Sequence, residues 1–94
     1  LALSNGYNTS DIHLYIGECL LSKGEANKAI QEFLKAQKLN FKNTKIFYKL
    51  GLAYSEIGLY SEAITNLRKY IESDLNIPDI EEIKEIIYTL EQAL

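Results

Sequence analysis

The sequence matches itself when it is shifted by 34 residues, and this internal repeat constrains the fold more than any other feature. Two pairs of glycines coincide at that offset, Gly17 with Gly51 and Gly24 with Gly58. Further coincidences are Ala29 with Ala63, Ile30 with Ile64, Ile12 with Ile46 and Lys35 with Lys69. A period of this length is typical of proteins built from stacked supersecondary units, each of which buries its apolar face against the next.

Each copy contains two segments whose apolar residues recur at the spacing of an amphipathic helix. A glycine separates the segments, Gly24 in the first copy and Gly58 in the second. A connection this short forces the second helix to fold back along the first, so each copy predicts an antiparallel hairpin. We expect helices over residues 11–23, 26–40, 45–57 and 60–74.

The motif inside each copy resembles the tetratricopeptide repeat, whose pattern is W-x2-L-G-x2-Y, then A-x3-F, then P. The second copy reads Phe47-x2-Leu50-Gly51-x2-Tyr54 and then Ala63-x3-Leu67. The first copy reads His13-x2-Ile16-Gly17-x2-Leu20 and then Ala29-x3-Phe33. Neither copy has the Trp, and Phe41 and Leu75 replace the closing Pro. The resemblance implies an all-α fold of antiparallel helical hairpins stacked as an α-α superhelix.

The alignment divides the chain into four parts. We expect repeat 1 at residues 10–43 and repeat 2 at residues 44–77, with residues 1–9 as the tail of a truncated preceding repeat. Residues 78–94 resemble the terminal capping helix of a repeat array, with an apolar stripe on one face. An independent interaction helix is the alternative for this last part. Because the chain begins with Leu1 and contains no Met, we expect a piece of a longer protein.

We expect the motif residues to pack the repeats together, since the small ones stand where two helices cross closely. The residues assigned to this packing are His13, Ile16, Gly17, Leu20, Gly24, Ala29, Phe33, Phe47, Leu50, Gly51, Tyr54, Gly58, Ala63 and Leu67. His13 holds the position of Phe47, which predicts a core residue rather than a catalytic one. Cys19 holds the small position of Ala53, which predicts an inert buried thiol.

The inventory of reactive side chains predicts no catalytic, cofactor or metal site. One His and one Cys cannot build a zinc site without help, and no run of glycines is present to hold a phosphate. Glu81, Glu82 and Glu85 form an acidic cluster, which we interpret as a solvated helix face because no loop would surround a bound ion. We therefore predict that the chain is not an enzyme.

The composition limits the kinds of partner that we expect the chain to bind. The chain is 47% hydrophobic and 24% charged, as folded domains are. No apolar run approaches the roughly 20 residues of a membrane helix. The net charge is −3, and the whole acidic excess lies in residues 78–94, so there is no basic stripe for nucleic acid. We expect protein or peptide partners, and neither a membrane nor a nucleic acid.

In the family that the repeat resembles, the first helix of each repeat lines a concave groove in which partner peptides lie. Mapped onto this chain, the groove face consists of Asp11, Leu14, Glu18, Leu21, Ser22, Lys45, Tyr48, Leu52, Ser55 and Glu56. Its leucines and tyrosine form an apolar strip that suits an amphipathic helix or an extended peptide with aliphatic anchors. Acids and aliphatics cannot hold a carboxylate, so we do not expect the chemistry of members that grip the C-terminal carboxylate of heat-shock chaperones.

Two functions remain open at this point. The first is an interaction scaffold that holds a partner peptide or amphipathic helix in the groove. The alternative is a structural or self-association segment of a longer repeat protein, with no discrete ligand. Two hairpins and a cap are near the minimum for stable stacking, so a homodimer through exposed terminal hairpins is part of this alternative.

Overall fold

The computed structural model describes residues 9–74 and 76–94, and these residues form five α-helices without a strand. The helices are α1 (Thr9–Ser22), α2 (Ala26–Leu39), α3 (Lys45–Glu56), α4 (Tyr60–Ser73) and α5 (Ile80–Gln92). The predicted all-α fold of helical hairpins is confirmed. Apart from Thr9, the expected tail of a preceding repeat lies outside the described residues, and so does Leu75.

Gly24 and Gly58 end the first helix of each hairpin with the same turn. Their φ angles are +81° and +80°, a conformation that favours glycine. In the first turn Glu25 donates its N–H to the carbonyl oxygen of Leu20 at 2.9 Å, and Gly24 donates to Leu21 at 3.0 Å, which is a Schellman motif. Both glycines are exposed, which corrects their assignment to the packing between helices: they are required by the turn.

Gly17 and Gly51 lie where the two helices of each hairpin approach most closely. A Cβ atom at Gly17 would stand 2.5 Å from the Phe33 ring, and one at Gly51 would stand 2.6 Å from the Leu67 side chain. Phe33 and Leu67 are completely buried, so neither has free space into which to move. These glycines therefore set the distance between α1 and α2 and between α3 and α4.

Two apolar cores join each hairpin to the helix that follows it. In the first core, Ala29, Ile30, Phe33 and Ala36 of α2 pack with Ile46, Leu50 and Ala53 of α3, which we call the stacking residues of α3. In the second core, Ala63, Ile64 and Leu67 of α4 pack with Ile77 and with Ile83, Ile87 and Leu90 of α5, the stacking residues of α5. The repetition of the same contact makes the molecule a short stack of helices.

The outer face of α1 differs from the corresponding face of α3. Ile16 and Cys19 hold the positions of Leu50 and Ala53, yet Ile16 is 40% exposed and Cys19 is exposed too. The predictions that Ile16 packs between repeats and that Cys19 is buried are wrong. The reason is that α2 covers the stacking residues of α3, whereas no helix within residues 9–74 and 76–94 covers this face of α1.

His13 is half-buried and paired with a carboxylate, which corrects its assignment to the apolar core. Its Nδ1 atom lies 2.7 Å from Oε1 of Glu32 on α2. Lys35 contacts the other Glu32 oxygen at 3.3 Å. The hydrogen bond with His13, and secondarily the contact with Lys35, lowers the pKa of Glu32 below its ordinary value. A polar contact thus replaces the aromatic packing expected at this position of the motif.

The candidate partner-binding groove

The predicted groove residues lie on α1 and α3, the first helices of the two hairpins, which contact each other directly. The residues at the ends of the two helices are exposed: Asp11, Ser22, Lys45 and Glu56. The residues between them are half-buried: Leu14, Glu18, Leu21, Tyr48, Leu52 and Ser55. The surface therefore has polar ends and a partly apolar middle.

A cavity of about 330 Å³ opens at the carboxyl ends of α1 and α3, and every residue that lines it belongs to the predicted groove set. The lining consists of Leu21, Ser22, Leu52, Ser55 and Glu56. Ser55 donates its hydroxyl hydrogen to the carbonyl oxygen of Leu52 at 2.7 Å. The lone pairs of that hydroxyl are left to accept a hydrogen bond from a bound chain.

An ion pair crosses the middle of the groove. Lys49 Nζ on α3 lies 2.9 Å from a carboxylate oxygen of Glu18 on α1, and 5.9 Å from the centre of the Tyr48 ring. Both partners are partly exposed, so the pair contributes about 1 kcal/mol or less to stability. It neutralises Glu18, one of the three acids in the predicted groove set, and it links α1 to α3.

The apolar strip expected along the groove is interrupted. Leu14 packs against the first core, and Tyr48 packs against the second core and stacks on Tyr70, with ring centroids 5.3 Å apart. Neither residue lines the cavity, where the structure brings Leu21 and Leu52 together. Leu52 packs against neither core, so its apolar surface is the part of the strip that remains for a partner.

The groove offers binding chemistry: apolar side chains with polar groups at the rim. Within the described parts of the chain, no group of three or more His, Cys, Asp or Glu side chains could hold a metal ion. No helix in those parts has the length and apolar character needed to cross a bilayer. An apolar surface flanked by polar groups is suited to holding a polypeptide segment.

A second cavity, on α5, was missed by the sequence reasoning. It has a volume of about 370 Å³ and is lined by Glu82, Glu85, Ile86, Thr89 and Leu90. From the sequence, Glu82 and Glu85 were expected only as part of a solvated acidic face. The available signal was the spacing of the stacking residues of α5, which sets the side of the helix on which these glutamates lie.

Helical hairpins that repeat at 34 residues, with small residues at their crossings and Schellman turns between their helices, define a tetratricopeptide-repeat protein. The chain belongs to the family described as Anaphase-promoting complex, cyclosome, subunit 3, whose model matches residues 1–70. The predicted membership of the tetratricopeptide-repeat family is thereby confirmed. Proteins of this class act in general as protein–protein interaction scaffolds without enzyme activity.

The chain is also similar in sequence to individual curated proteins. The chain is 33% identical to DnaJ homolog subfamily C member 3 of Rattus norvegicus over 57 residues, which are 61% of this chain and 11% of that protein. The Homo sapiens protein of the same name gives the same identity and coverage. BBSome complex member BBS4 of Bos taurus is 32% identical over 62 residues, 66% of this chain and 12% of that protein. The chain spans about one ninth of the length of these relatives.

Proposed function

We propose that this chain is a scaffold module that holds a segment of a partner protein, as an extended peptide or an amphipathic helix, in the groove formed by α1 and α3. The observation that carries the proposal is the cavity lined by Leu21, Ser22, Leu52, Ser55 and Glu56. A lining of two leucines beside two serines and a glutamate suits the anchor side chain of a bound polypeptide.

The size of the cavity supports a peptide ligand. Its volume of about 330 Å³ is at the lower end of the roughly 300–1,000 Å³ of small-molecule sites, and its lining comes from only two helices. A cavity of this kind accepts one or two side chains of a longer ligand whose remaining length lies along the groove. Two of the matching names, an anaphase-promoting complex subunit and a BBSome complex member, belong to components of multiprotein complexes, which favours a scaffold function.

The experiment that tests this function uses peptides selected on the chain itself. A phage-displayed library of random 12-residue peptides is panned against residues 1–94, and the dissociation constants of selected peptides are measured by fluorescence anisotropy. Leu52→Ala should weaken binding about tenfold, because it removes an apolar contact at the cavity without touching either core. The matched control is Leu34→Ala, which truncates a 43% exposed leucine on α2.

Either of two results would overturn the proposal. One is a library that yields no binding peptide. The other is a set of peptides that bind Leu52→Ala as tightly as the unchanged chain, which would place their binding site elsewhere. Helical circular dichroism must be equal in both variants, so that loss of binding is not loss of folding.

Self-association is the second candidate, and the uncovered face of α1 favours it. Tyr15 is 68% exposed and Ile16 40% exposed on the face that corresponds to the stacking residues of α3. A second copy of the chain would bury these apolar groups. Light scattering over a concentration series distinguishes the two functions. A dimer that the substitution Ile16→Glu dissociates would support self-association. A monomer at every concentration would contradict it.

A further inference from the structure

The C-terminal helix α5 repeats the packing register of α3. The stacking residues of both helices are spaced by four and then three positions, and each set packs on the second helix of the preceding hairpin. Those of α5 come three residues later than the 34-residue period would place them, an insertion that falls around Ile77-Pro78. In its contact with α4, α5 therefore lies as the first helix of a hairpin lies.

This register assigns a groove-facing side to α5. When the stacking residues of the two helices are aligned, the positions of Lys45, Tyr48 and Leu52 are taken by Glu82, Glu85 and Thr89. The cavity of about 370 Å³ on α5 is lined by these same three residues together with Ile86 and Leu90. The alignment and the cavity are independent observations, and both select the same side of the helix.

The acidic residues of α5 differ in whether they form an ion pair, and this difference follows whether they line the cavity. Glu81 pairs with Lys84 at 3.6 Å, and Glu91 pairs with Arg68 of α4. Both of these acids lie outside the cavity lining. Glu82 and Glu85 line the cavity, and neither has an ion-pair partner in the described parts of the chain. Among the described residues, the acids of α5 without an ion pair are thus the two that line the cavity.

We propose that α5 is a third groove helix and that it selects partner segments bearing two basic side chains beside an aliphatic one. The proposal rests on the proposed function, because it names the partner chemistry of the same groove. Residues three apart on a helix have Cβ atoms about 5–6 Å apart, so Glu82 and Glu85 present two carboxylates to neighbouring Lys or Arg side chains on one face of a ligand. Ile86, half-buried at the edge of the second core, provides the apolar contact beside them.

The test compares the selected 12-residue peptides on three proteins: the unchanged chain, Glu82→Gln/Glu85→Gln, and Glu81→Gln. Glu81 is the matched control because it lies in the same first turn of α5 but outside the cavity. Peptides that lose binding on Leu52→Ala should be enriched in Lys and Arg. The double variant should bind them about fivefold more weakly, and this difference should vanish at about 1 M salt. Glu81→Gln should leave the dissociation constants unchanged.

The outcomes separate this inference from the function on which it rests. Peptides that depend on Leu52 but carry no excess of basic residues, or that bind the double variant as tightly as the unchanged chain, would overturn the role of α5 and leave the groove intact. A library without any peptide sensitive to Leu52→Ala would overturn both proposals. An equal loss of binding in Glu81→Gln would attribute the effect to the general charge of α5 and would also overturn the inference.

Discussion

At the scale of single residues, the glycines of the motif have two different physical roles. Gly17 is buried against Phe33, and Gly51 is buried against Leu67, so these positions exclude any side chain. Gly24 and Gly58 have open space around them and are required only because of their positive φ. The sequence pattern aligned all four equally well, since a repeat shows that a residue is shared but not which constraint acts on it.

Replacing Gly17 by Ala should destabilise the fold by about 1–3 kcal/mol. The new Cβ would lie 2.5 Å from a completely buried ring, and this clash outweighs the roughly 1 kcal/mol by which Ala is favoured over Gly inside a helix. Gly24→Ala is the control and should cost about 1 kcal/mol from backbone strain alone. Urea unfolding of both variants measures the difference, and a Gly17→Ala protein more stable than Gly24→Ala would contradict the close helix crossing.

The Glu32 carboxylate should contribute stability that depends on pH. Its pKa in the folded chain is below the ordinary value of 4.5, chiefly because of the His13 hydrogen bond, so folding favours the charged form. The contribution is therefore complete above pH 4.5 and is lost as the pH falls through the lower folded pKa. The free energies of unfolding of the unchanged chain and of Glu32→Gln should differ at pH 6 and converge on acidification. A difference that grows below pH 4.5 would contradict this assignment.

At the scale of elements, the same sequence position is buried or exposed according to what covers it. The exposed thiol of Cys19 should react with a disulfide reagent in the folded protein without prior unfolding. Ala53→Cys in a Cys19→Ser background should react only on unfolding, because Ala53 is completely buried under α2. Slow labelling of Cys19 would show that the outer face of α1 is covered in solution, as self-association requires.

The sequence predicted the positions of the helices well, but it predicted less well which helix covers each face. The 34-residue period and the glycine turns placed each of the four hairpin helices within two residues of its observed ends. Burial of Ile16 and Cys19 was inferred from Leu50 and Ala53, but burial depends on a covering helix that sequence equivalence does not supply. The cavity on α5 was missed because the register of this helix is displaced by three residues, so the alignment that located the predicted groove residues ended at repeat 2.

At the scale of the whole molecule, the two cores make α5 part of the same stack as the hairpins. Ile87 of α5 is 6% exposed and holds the place in the second core that Leu50 holds in the first. Truncation of either side chain to Ala should therefore lower the free energy of unfolding by a similar amount, about 2–4 kcal/mol. Tyr88→Ala, at a 63% exposed position of α5, is the control and should change it by less than about 0.5 kcal/mol.

This comparison also distinguishes a stacked helix from an independent one. A detached interaction helix would form no core, and Ile87→Ala would then leave unfolding of the hairpins unchanged. Equal losses for Ile87→Ala and Leu50→Ala, in single cooperative transitions, would place α5 in the folded unit and support its place in the groove.

The measurement that tests the central claim most directly is an NMR titration of the ¹⁵N-labelled chain with a peptide selected on it. The proposed function predicts that the largest amide shift changes lie at the concave surface of α1 and α3, at Leu21, Ser22, Leu52, Ser55 and Glu56. If α5 is a third groove helix, the changes continue at Glu82, Glu85 and Thr89. Changes confined to Tyr15, Ile16 and Cys19 on the outer face of α1, with the cavity residues unmoved, would contradict the claim that this chain binds its partners in the groove.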